Sequence, residues 1–336
     1  MVMQTKLPPY THREHAARYS RVVRLMPSME WDAYFDLVKQ IQALKRDRNA
    51  IVLAHNYQRP EIFHAVADIQ GDSLTLAREG AKSRADVIVM CGVRFMAETA
   101  KILSPEKTVL LPSPNAGCSL ADSITAADVR ALRARHPGTP VVCYVNTDAA
   151  VKAECDACCT SANAIEIVEG LGADQAIFVP DAYLAAYVAA HSKVQIIPWR
   201  GRCEVHERFT AGEIEEYRRT TGAYVIAHPE CPPEVQAVAD YVGSTSGMIA
   251  ALRRRQPARA VLVTECSMAD NVCSEFPETE FVRPCNLCPH MQSITLPGIL
   301  RALVDLQPAI EVPADIAARA RRSIDRMLEL TARHAA

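Results

Sequence analysis

Three cysteines recur in this 336-residue sequence at one spacing and in one context. Cys203 lies 85 residues after Cys118, and Cys288 lies 85 residues after Cys203. Each follows an apolar run typical of a strand and then a short turn. Equal spacing in equal context predicts three copies of one supersecondary unit. If the copies pack around a pseudo-threefold axis, three thiolates meet at one point. Three thiolates without a fourth ligand suit an iron–sulfur cluster with one iron open to substrate.

Polar side chains end three apolar runs that resemble buried strands. The runs are residues 51–57, 141–146 and 224–230. Such strands, alternating with helices, predict parallel sheets covered on both faces, and ligands bind beyond the carboxyl ends of their strands. The side chains placed there are His55, Asn56, Tyr57, Tyr144, Asn146, His228 and Glu230. Polar strand ends are common in α/β proteins, but their recurrence in three copies favours one shared site.

A loop of small residues follows each of these strands. Within the loops, Ser73, Ser161 and Thr245 stand where a helix is predicted to begin. Free backbone N–H groups and the helix dipole attract anions at such positions. Ordinary helix capping explains any one of them equally well. Their common register favours anion binding.

Four side chains are candidates for proton transfer. His206 follows the second recurring cysteine by three residues, so the cysteine turn would hold it near a bound metal. Glu230 ends a strand beside His228, and a carboxylate next to a histidine in a closed site is a candidate general base. Tyr57 and Tyr144 could donate to a developing oxyanion. The alternatives are a surface glutamate, a histidine that caps a turn and aromatic residues packed at an interface.

The remaining cysteines carry weaker signals. Cys155, Cys158 and Cys159 form a C-x-x-C-C cluster that could bind a metal, but no second half with zinc-site spacing follows. Cys91 and Cys143 lie in predicted strands, where a free cysteine acts as a small core hydrophobe. The residues without a partner pattern are Cys231, Cys266 and Cys273.

Cys285 precedes Cys288 in a C-x-x-C arrangement that could act as a redox dithiol. A ligand to iron must be a free thiolate, so a disulfide between these two cysteines and a complete cluster exclude each other. We hypothesise that oxidation reversibly inactivates the apoprotein through this bridge. The equal alternative is that Cys285 stays an unreactive neighbour, because thiols remain reduced in a reducing compartment.

Composition and charge exclude several classes of protein. The net charge is −2, so the chain lacks the basic footprint of a nucleic-acid-binding protein. It contains no apolar run of 18 residues, as a transmembrane helix requires. Residues 1–30 are basic but lack the apolar core of a secretory signal. The sequence therefore predicts a cytoplasmic protein that binds neither nucleic acid nor membrane.

Helix-period and strand-period patterns divide the chain into three α/β units. The predicted divisions are a basic N-terminal arm at 1–30 and units at 31–138, 139–221 and 222–336. The predicted strands are 51–55, 86–91, 108–112, 141–145, 175–179, 194–197, 224–227, 260–264 and 280–283. The predicted helices are 31–45, 60–70, 73–83, 94–103, 128–135, 161–170, 182–191, 246–255 and 315–332.

Ten segments, in order along the chain, together resemble the quinolinate synthase family, the iron–sulfur enzymes of de novo NAD biosynthesis. They are AHNYQRPEI (54–62), GDSLTLA (71–77), CGVRFMAETAKIL (91–103), GCSLAD (117–122), YVNTDAAVKAECDACCTSANA (144–164), FVPDAYLAAYV (178–188), GRCEVH (201–206), AHPECPPEV (227–235), DYVGSTSGM (240–248) and CPHM (288–291). Together they span roughly residues 50 to 300. The resemblance implies an α/β fold of three similar three-layer αβα domains with short parallel sheets, arranged around a pseudo-threefold axis with the active site at the centre.

The resemblance also implies a chemistry. It implies a 4Fe–4S cluster with three cysteine ligands, Cys118, Cys203 and Cys288, whose open iron acts as a Lewis acid. Iminoaspartate would condense with dihydroxyacetone phosphate to give quinolinate, phosphate and water, and L-aspartate oxidase or aspartate dehydrogenase would supply the iminoaspartate. The substrate residues of the family fall on His55, Tyr57, Ser73, Tyr144, Asn146, Ser161, His206, His228, Glu230, Ser244 and Thr245. Among these, the groups expected to move protons are Glu230, His206, Tyr57 and Tyr144.

Two departures from the family pattern stand near the third cysteine. His290 occupies a position where tyrosine is more usual, and Cys285 is an additional cysteine. Two other functions remain open at this point. One is a different hydro-lyase with an open-iron cluster, and the other is a redox sensor or electron carrier, which would need a fully protected cluster and no polar strand ends.

Overall fold

Three helices precede the first strand in the structure, a computed structural model that describes residues 9–334. They are α1 (His12–Tyr19), α2 (Ser28–Ala33) and α3 (Phe35–Asp47). Thr11 and Glu14 start α1 with a capping box, because each side chain accepts the backbone N–H of the other. The sequence predicted an irregular arm over residues 1–30. That prediction is wrong for α1, and residues 1–8 lie outside the described part of the chain.

The N-terminal helices are docked on the rest of the protein. Arg18 donates hydrogen bonds to the backbone oxygens of His64 and Ala65, where a later helix ends and leaves carbonyls without helical partners. Arg24 donates to the backbone oxygen of Pro277, 2.8 Å away, which lies in the third unit. This segment therefore contacts both the first and the third unit.

The three units repeat one order of elements. The first contains β1 (Ala50–His55), α4 (Pro60–Ala65), β2 (Ile69–Gly71), α5 (Ser73–Lys82), β3 (Val87–Cys91), α6 (Arg94–Leu103), β4 (Thr108–Leu110) and α7 (Ser119–Asp122). The second contains α8 (Ala126–Arg135), β5 (Val141–Tyr144), α9 (Ala149–Lys152), β6 (Ala157–Cys159), α10 (Ala164–Gly170), β7 (Gln175–Val179), α11 (Ala182–His191), β8 (Gln195–Pro198) and a 3₁₀ turn (His206–Arg208). The third contains α12 (Ala211–Thr221), β9 (Tyr224–Ala227), α13 (Pro233–Ala237), β10 (Tyr241–Val242), α14 (Thr245–Arg255), β11 (Arg259–Val263), α15 (Ser267–Val272), β12 (Glu280–Val282) and α16 (Pro289–Gln292).

Each unit forms a four-stranded sheet in which every described strand pair is parallel. The strand orders are β2-β1-β3-β4, β6-β5-β7-β8 and β10-β9-β11-β12. Alternate residues of the third sheet belong to different apolar clusters, because side chains along a strand point to opposite faces. Ile226 and Leu262 pack in one cluster, and Val225 and Val261 pack in the other. Three similar α/β domains with helices on both faces of short parallel sheets are thereby confirmed.

An aspartate recurs at the same place in each unit and ties the sheet to the preceding long helix. Its carboxylate accepts a backbone N–H from the first strand, from Val52 to Asp68 (2.8 Å), from Val141 to Asp156 (2.7 Å) and from Val225 to Asp240 (2.8 Å). The same carboxylates pair with Lys45 on α3 (2.6 Å), Arg133 on α8 (2.6 Å) and Arg218 on α12 (3.0 Å). The helix before each sheet therefore packs on that sheet in all three units.

Two further helices follow the third unit, and both return to the earlier part of the chain. They are α17 (Leu296–Asp305) and α18 (Ala314–His334). Helix α17 packs on α3, and α18 packs on β6, α9 and α10 of the second unit and on α6 of the first. Arg321 on α18 donates to the backbone oxygen of Leu103, 3.2 Å away, and Ser323 donates to that of Lys152 at 3.0 Å. No helix in the described part of the chain is long and apolar enough to cross a bilayer.

Candidate active site

One cavity of about 750 Å³, counting the space open to solvent, lies beyond the carboxyl ends of the central strands. Residues from all three units line it, as expected for ligand sites in parallel sheets. The recurring cysteines Cys118, Cys203 and Cys288 all line this cavity. The structure therefore brings together three side chains that are 85 residues apart in the sequence.

The three cysteine turns are held by the same backbone contact. In each unit, the segment after the third strand donates to the residue two places before the cysteine. The bonds run from Arg94 N to Ala116 O (2.8 Å), from Ala182 N to Gly201 O (2.9 Å) and from Cys266 N to Asn286 O (3.2 Å). Equivalent backbone bonds place the three cysteines equivalently, in agreement with the repeat that the spacing predicted.

The chemistry of the three thiols fits a metal cluster. Burial raises the pKa of Cys118 to about 12, that of Cys288 to about 11 and that of Cys203 well above its usual value. A buried thiol becomes a thiolate when a metal cation replaces its proton. Three such thiols on the wall of one cavity fit a metal cluster.

Glu230 occupies the centre of a buried hydrogen-bond network. Its Oε1 accepts from the Tyr144 hydroxyl at 2.5 Å, and its Oε2 lies 2.9 Å from His206 Nδ1. Burial disfavours the charged carboxylate, but His206, His228 and the Tyr144 hydroxyl together hold the pKa of Glu230 below its usual value. Glu230 is therefore ionised at neutral pH, and a tyrosine and a histidine contact its two oxygen atoms.

Thr264 joins two of the predicted residues and was not itself predicted. Its hydroxyl lies 2.6 Å from the Tyr57 hydroxyl and 2.9 Å from His206 Nε2. His206 is thereby held at both ring nitrogens, by Thr264 on one side and Glu230 on the other. Thr264 is the last residue of the strand predicted at 260–264, and its place at a strand end is the same signal that marks the predicted polar residues.

His55 and His228 occupy equivalent turns after the first strands of the first and third units. Burial lowers the pKa of His55 to about 4 and that of His228 to about 3, so both rings are neutral at neutral pH. Nδ1 of each ring accepts a backbone N–H two residues later, from Tyr57 at 3.2 Å and from Glu230 at 3.3 Å. The proton of each neutral ring is consequently on Nε2, which leaves Nε2–H as a hydrogen-bond donor.

Known proteins resemble this chain over most of its length. The family model described as quinolinate synthetase A protein matches residues 39–329. Quinolinate synthase 1 of Mesorhizobium japonicum is 58% identical over 314 residues, which cover 93% of this chain and 97% of that protein. The quinolinate synthase of Agrobacterium fabrum is 57% identical over 316 residues, 94% of this chain and 92% of that protein. The chain belongs to the quinolinate synthase family. In this family member, the three thiols that line the cavity are the groups that fit an iron–sulfur cofactor.

In this quinolinate synthase family member, two of the three small-residue loops begin a helix at the predicted residue, and the third does not, because α10 begins at Ala164. Ser73 and Thr245 are the first residues of α5 and α14, Ser161 lies just before α10, and all three line the cavity. Ser244 is not among the described residues that line it. Its hydroxyl instead accepts the backbone N–H of Gly247 at 3.1 Å and caps α14.

Of the two asparagines at the strand ends, one lines the cavity and the other does not. Asn146 lines the cavity. Asn56 is buried, and its side-chain N–H₂ donates to Thr245 Oγ1 at 3.0 Å, so it supports a lining residue instead of lining the cavity itself. Tyr57 and Tyr144 both line the cavity, as predicted.

Glu265 and His290 also line the cavity and were not predicted as site residues. Glu265 accepts the backbone N–H of Ser267 at 2.7 Å and that of Cys288 at 3.3 Å. His290 Nε2 lies 2.9 Å from a Glu204 carboxylate oxygen, so the unusual histidine links the third cysteine turn to the second. Glu265 follows a strand in the same way as the predicted polar residues, which was a usable signal.

Cys285 forms a disulfide, but with a different partner from the one hypothesised. The structure joins Cys285 to Cys266, while Cys288 remains free and lines the cavity. The hypothesis of a Cys285–Cys288 bridge is therefore wrong for this structure, and so is the alternative that Cys285 stays an unreactive neighbour. The reason is that residues 266 and 286 are already paired through their backbones, which brings Cys285 beside Cys266.

The C-x-x-C-C cluster is part of the core. Cys158 lies in β6 directly opposite Cys143 in β5, with their sulfur atoms 3.4 Å apart. Both are fully buried, and burial raises both pKa values well above the usual value. Cys155 donates to the backbone oxygen of Val151. Cys91 is likewise fully buried, as expected for a core hydrophobe.

Proposed function

We propose that this chain condenses iminoaspartate with dihydroxyacetone phosphate to form quinolinate, with release of phosphate and water, on a 4Fe–4S cluster held by Cys118, Cys203 and Cys288. The observation that carries the proposal is the convergence of these three thiols with Glu230 in one cavity. When bound, the cluster supplies one iron with a free coordination position, which acts as a Lewis acid toward a substrate oxygen or nitrogen.

Proton transfer is assigned to the network around Glu230. The reaction removes protons from carbon and nitrogen and delivers protons to the oxygen atoms that leave as water. Glu230 is ionised and buried, so it accepts a proton from substrate as a general base. Tyr144 and His206 contact its two oxygen atoms and relay that proton. Tyr57, held by Thr264, donates a hydrogen bond to a developing negative charge.

Substrate binding is assigned to the hydroxyl and amide groups on the walls. Ser73, Ser161 and Thr245 lie at or near helix starts, where backbone N–H groups favour carboxylate and phosphate oxygens. His55 and His228 each offer an Nε2–H to a substrate oxygen. The other predicted substrate residues are Asn146 and Ser244. Ser244 acts indirectly, because it caps α14, the helix that begins with Thr245.

The cellular setting and the division of the chain complete the proposal. We assign the protein to the cytoplasm, with L-aspartate oxidase or aspartate dehydrogenase as the source of iminoaspartate and no nucleic-acid or membrane partner. We keep the divisions 1–30, 31–138, 139–221 and 222–336, whose last two boundaries fall in the turns before β5 and β9. The helices α8 and α12 lie before these boundaries but pack on the sheets that follow them.

The test combines product analysis with iron spectroscopy. Protein purified without oxygen is analysed for iron and sulfide, and its Mössbauer spectrum is recorded with and without a substrate analogue. Four irons and four sulfides per chain, with one iron altered by the analogue, support the cluster assignment. Quinolinate detected by mass spectrometry from the two proposed substrates supports the reaction. Hydration of another acid without quinolinate would favour a different hydro-lyase, and a spectrum unaffected by any ligand would favour an electron carrier.

A further inference from the structure

The proposed substrates carry carboxylate and phosphate groups, yet no lysine or arginine is among the described residues that line the cavity. The lining carries four acidic residues instead: Asp72, Glu204, Glu230 and Glu265. His55 and His228 are neutral because burial lowers their pKa. A lysine behind the walls would therefore add positive charge to the helix starts that the proposed function assigns to anion binding.

Lys152 lies directly behind one wall. Its side chain is 0% exposed, and Nζ donates to the backbone oxygens of Val145, at 2.8 Å, and of Thr147. These two residues flank Asn146, which lines the cavity together with Val145. Nζ also lies 5.5 Å from the ring centroid of Phe95, another lining residue. The amine is thus one residue layer away from the cavity.

The charge of Lys152 has no carboxylate partner within 4.0 Å among the described residues, whereas the buried Lys45 pairs with Asp68. The buried carboxylate of Glu98 is engaged elsewhere, with the backbone N–H of Ala149 at 2.8 Å and with Arg94. Burying a charge without an opposite charge is costly. An anion bound in the cavity would supply the missing charge.

Lys107 is a second lysine that donates to backbone oxygens, and the position of those oxygens differs from the position of those that Lys152 contacts. It is also buried and donates to two backbone oxygens, those of Gly80 and Ser83. These carbonyls belong to the C-terminal end of α5, whose dipole favours a cation. The carbonyls that Lys152 contacts lie in the turn before α9, a four-residue helix whose last residue is Lys152 itself, and not at the end of a long helix such as α5.

We infer that Lys152 is a positioning residue that holds the Val145–Thr147 turn so that Asn146 faces substrate, and that its charge attracts the anionic groups of the ligand through that wall. The inference rests on the proposed function, because it takes the ligand to be a dicarboxylate. Lys152 itself does not touch substrate. Its two contributions, the shape of the turn and the charge, are separable by substitution.

The test measures binding of quinolinate, with two charges, and of its 2-carboxamide, with one, to the holoprotein by calorimetry. Lys152→Gln keeps N–H donors for the two carbonyls but removes the charge, and Lys152→Met removes both. Lys107→Met is the matched control for loss of a buried lysine. Iron content and thermal midpoint are recorded for each variant, so that misfolded protein is identified.

Lys152→Gln is expected to weaken quinolinate binding by about tenfold and binding of the singly charged amide by about threefold, because the Coulomb energy scales with ligand charge. Lys107→Met is expected to leave both affinities unchanged. Equal losses for the two ligands, or no loss, would overturn the electrostatic role. Failure of the wild-type protein to bind quinolinate would instead contradict the proposed function. If Lys152→Met fails to fold, Lys152→Gln still decides the question.

Discussion

Glu230→Gln is the substitution that tests the proposed proton transfer most directly. The amide keeps the shape of the carboxylate, and its oxygen still accepts from the Tyr144 hydroxyl, which lies 2.5 Å from Oε1. Its N–H₂ then faces His206 Nδ1 in place of Oε2, at the 2.9 Å contact. Nδ1 must now accept a hydrogen bond, so the ring proton moves to Nε2, beside Thr264. The substitution therefore removes a base and also reverses the tautomer of His206.

The size of the effect follows from the loss of one proton-transfer group. Loss of a general acid–base group lowers turnover by about 10²–10⁴, or about 3–5 kcal/mol. We therefore expect turnover to fall by about 10²–10⁴. The cluster signal is expected to stay normal, because the three thiols remain.

The assay is quinolinate formation under anaerobic conditions, read together with iron content and the visible spectrum. Glu234→Gln is a matched control, because Glu234 is exposed and lies four residues later in the sequence. Near-normal turnover with an intact cluster would show that Glu230 does not act as the base. Loss of iron in Glu230→Gln would refute the reasoning in another way, since Cys203, His206 and Glu230 also lie close enough together to hold a single ion.

Three further predictions concern iron, acid and the disulfide. Cys203→Ala should abolish the brown chromophore of protein purified without oxygen, whereas Cys158→Ala should keep it. Comparable iron loss in both variants would contradict the ligand assignment. Burial lowers the pKa of His64 from 6.5 to about 4, so the unfolded chain takes up a proton first as the pH falls through this window. Between pH 6.5 and about pH 4, the free energy of unfolding of the wild-type apoprotein should therefore fall by up to about 3 kcal/mol more than that of His64→Leu. Denaturant unfolding at a series of pH values measures this difference, and parallel pH profiles for the two proteins would contradict it. The Cys266–Cys285 disulfide spans 19 residues, so Cys266→Ser should lower the free energy of unfolding by about 3 kcal/mol without reductant and by nothing with dithiothreitol, and an unchanged stability without reductant would show the bridge to be absent.

Much of the fold could be predicted from the sequence because long elements carry strong periodic signals. The helices at 94–103 and 182–191 and the strands at 175–179 and 224–227 have the predicted bounds in the structure. The strands β2, β6 and β10 were missed, because two or three residues show no period. The predicted helix at 60–70 ends at Ala65, and the chain then enters β2. The predicted helix at 31–45 is divided between α2 and α3.

The site was harder to predict where its residues act through tertiary contacts. Strand ends and the 85-residue spacing pointed to the cysteines, the histidines and Glu230. Thr264 matters because its hydroxyl lies between Tyr57 and His206, which are distant in the sequence. Cys266 pairs with Cys285 because two strand ends meet at one sheet edge, and local spacing such as C-x-x-C carries no information about that meeting. Aligning the three units against each other would have directed attention to the segment after each third strand.

The return of the chain end to its beginning has a consequence for truncated forms of the protein. The last residue that lines the cavity is Met291, so a chain ending there would keep every group of the proposed chemistry. It would lose α18, in which Ile324, Met327 and Leu330 are at most 2% exposed. Burying three such side chains is worth about 5 kcal/mol or more, which is comparable with the whole stability of many proteins. A truncated chain would therefore keep the residues of the proposed chemistry but lose the helix that packs the first unit against the second.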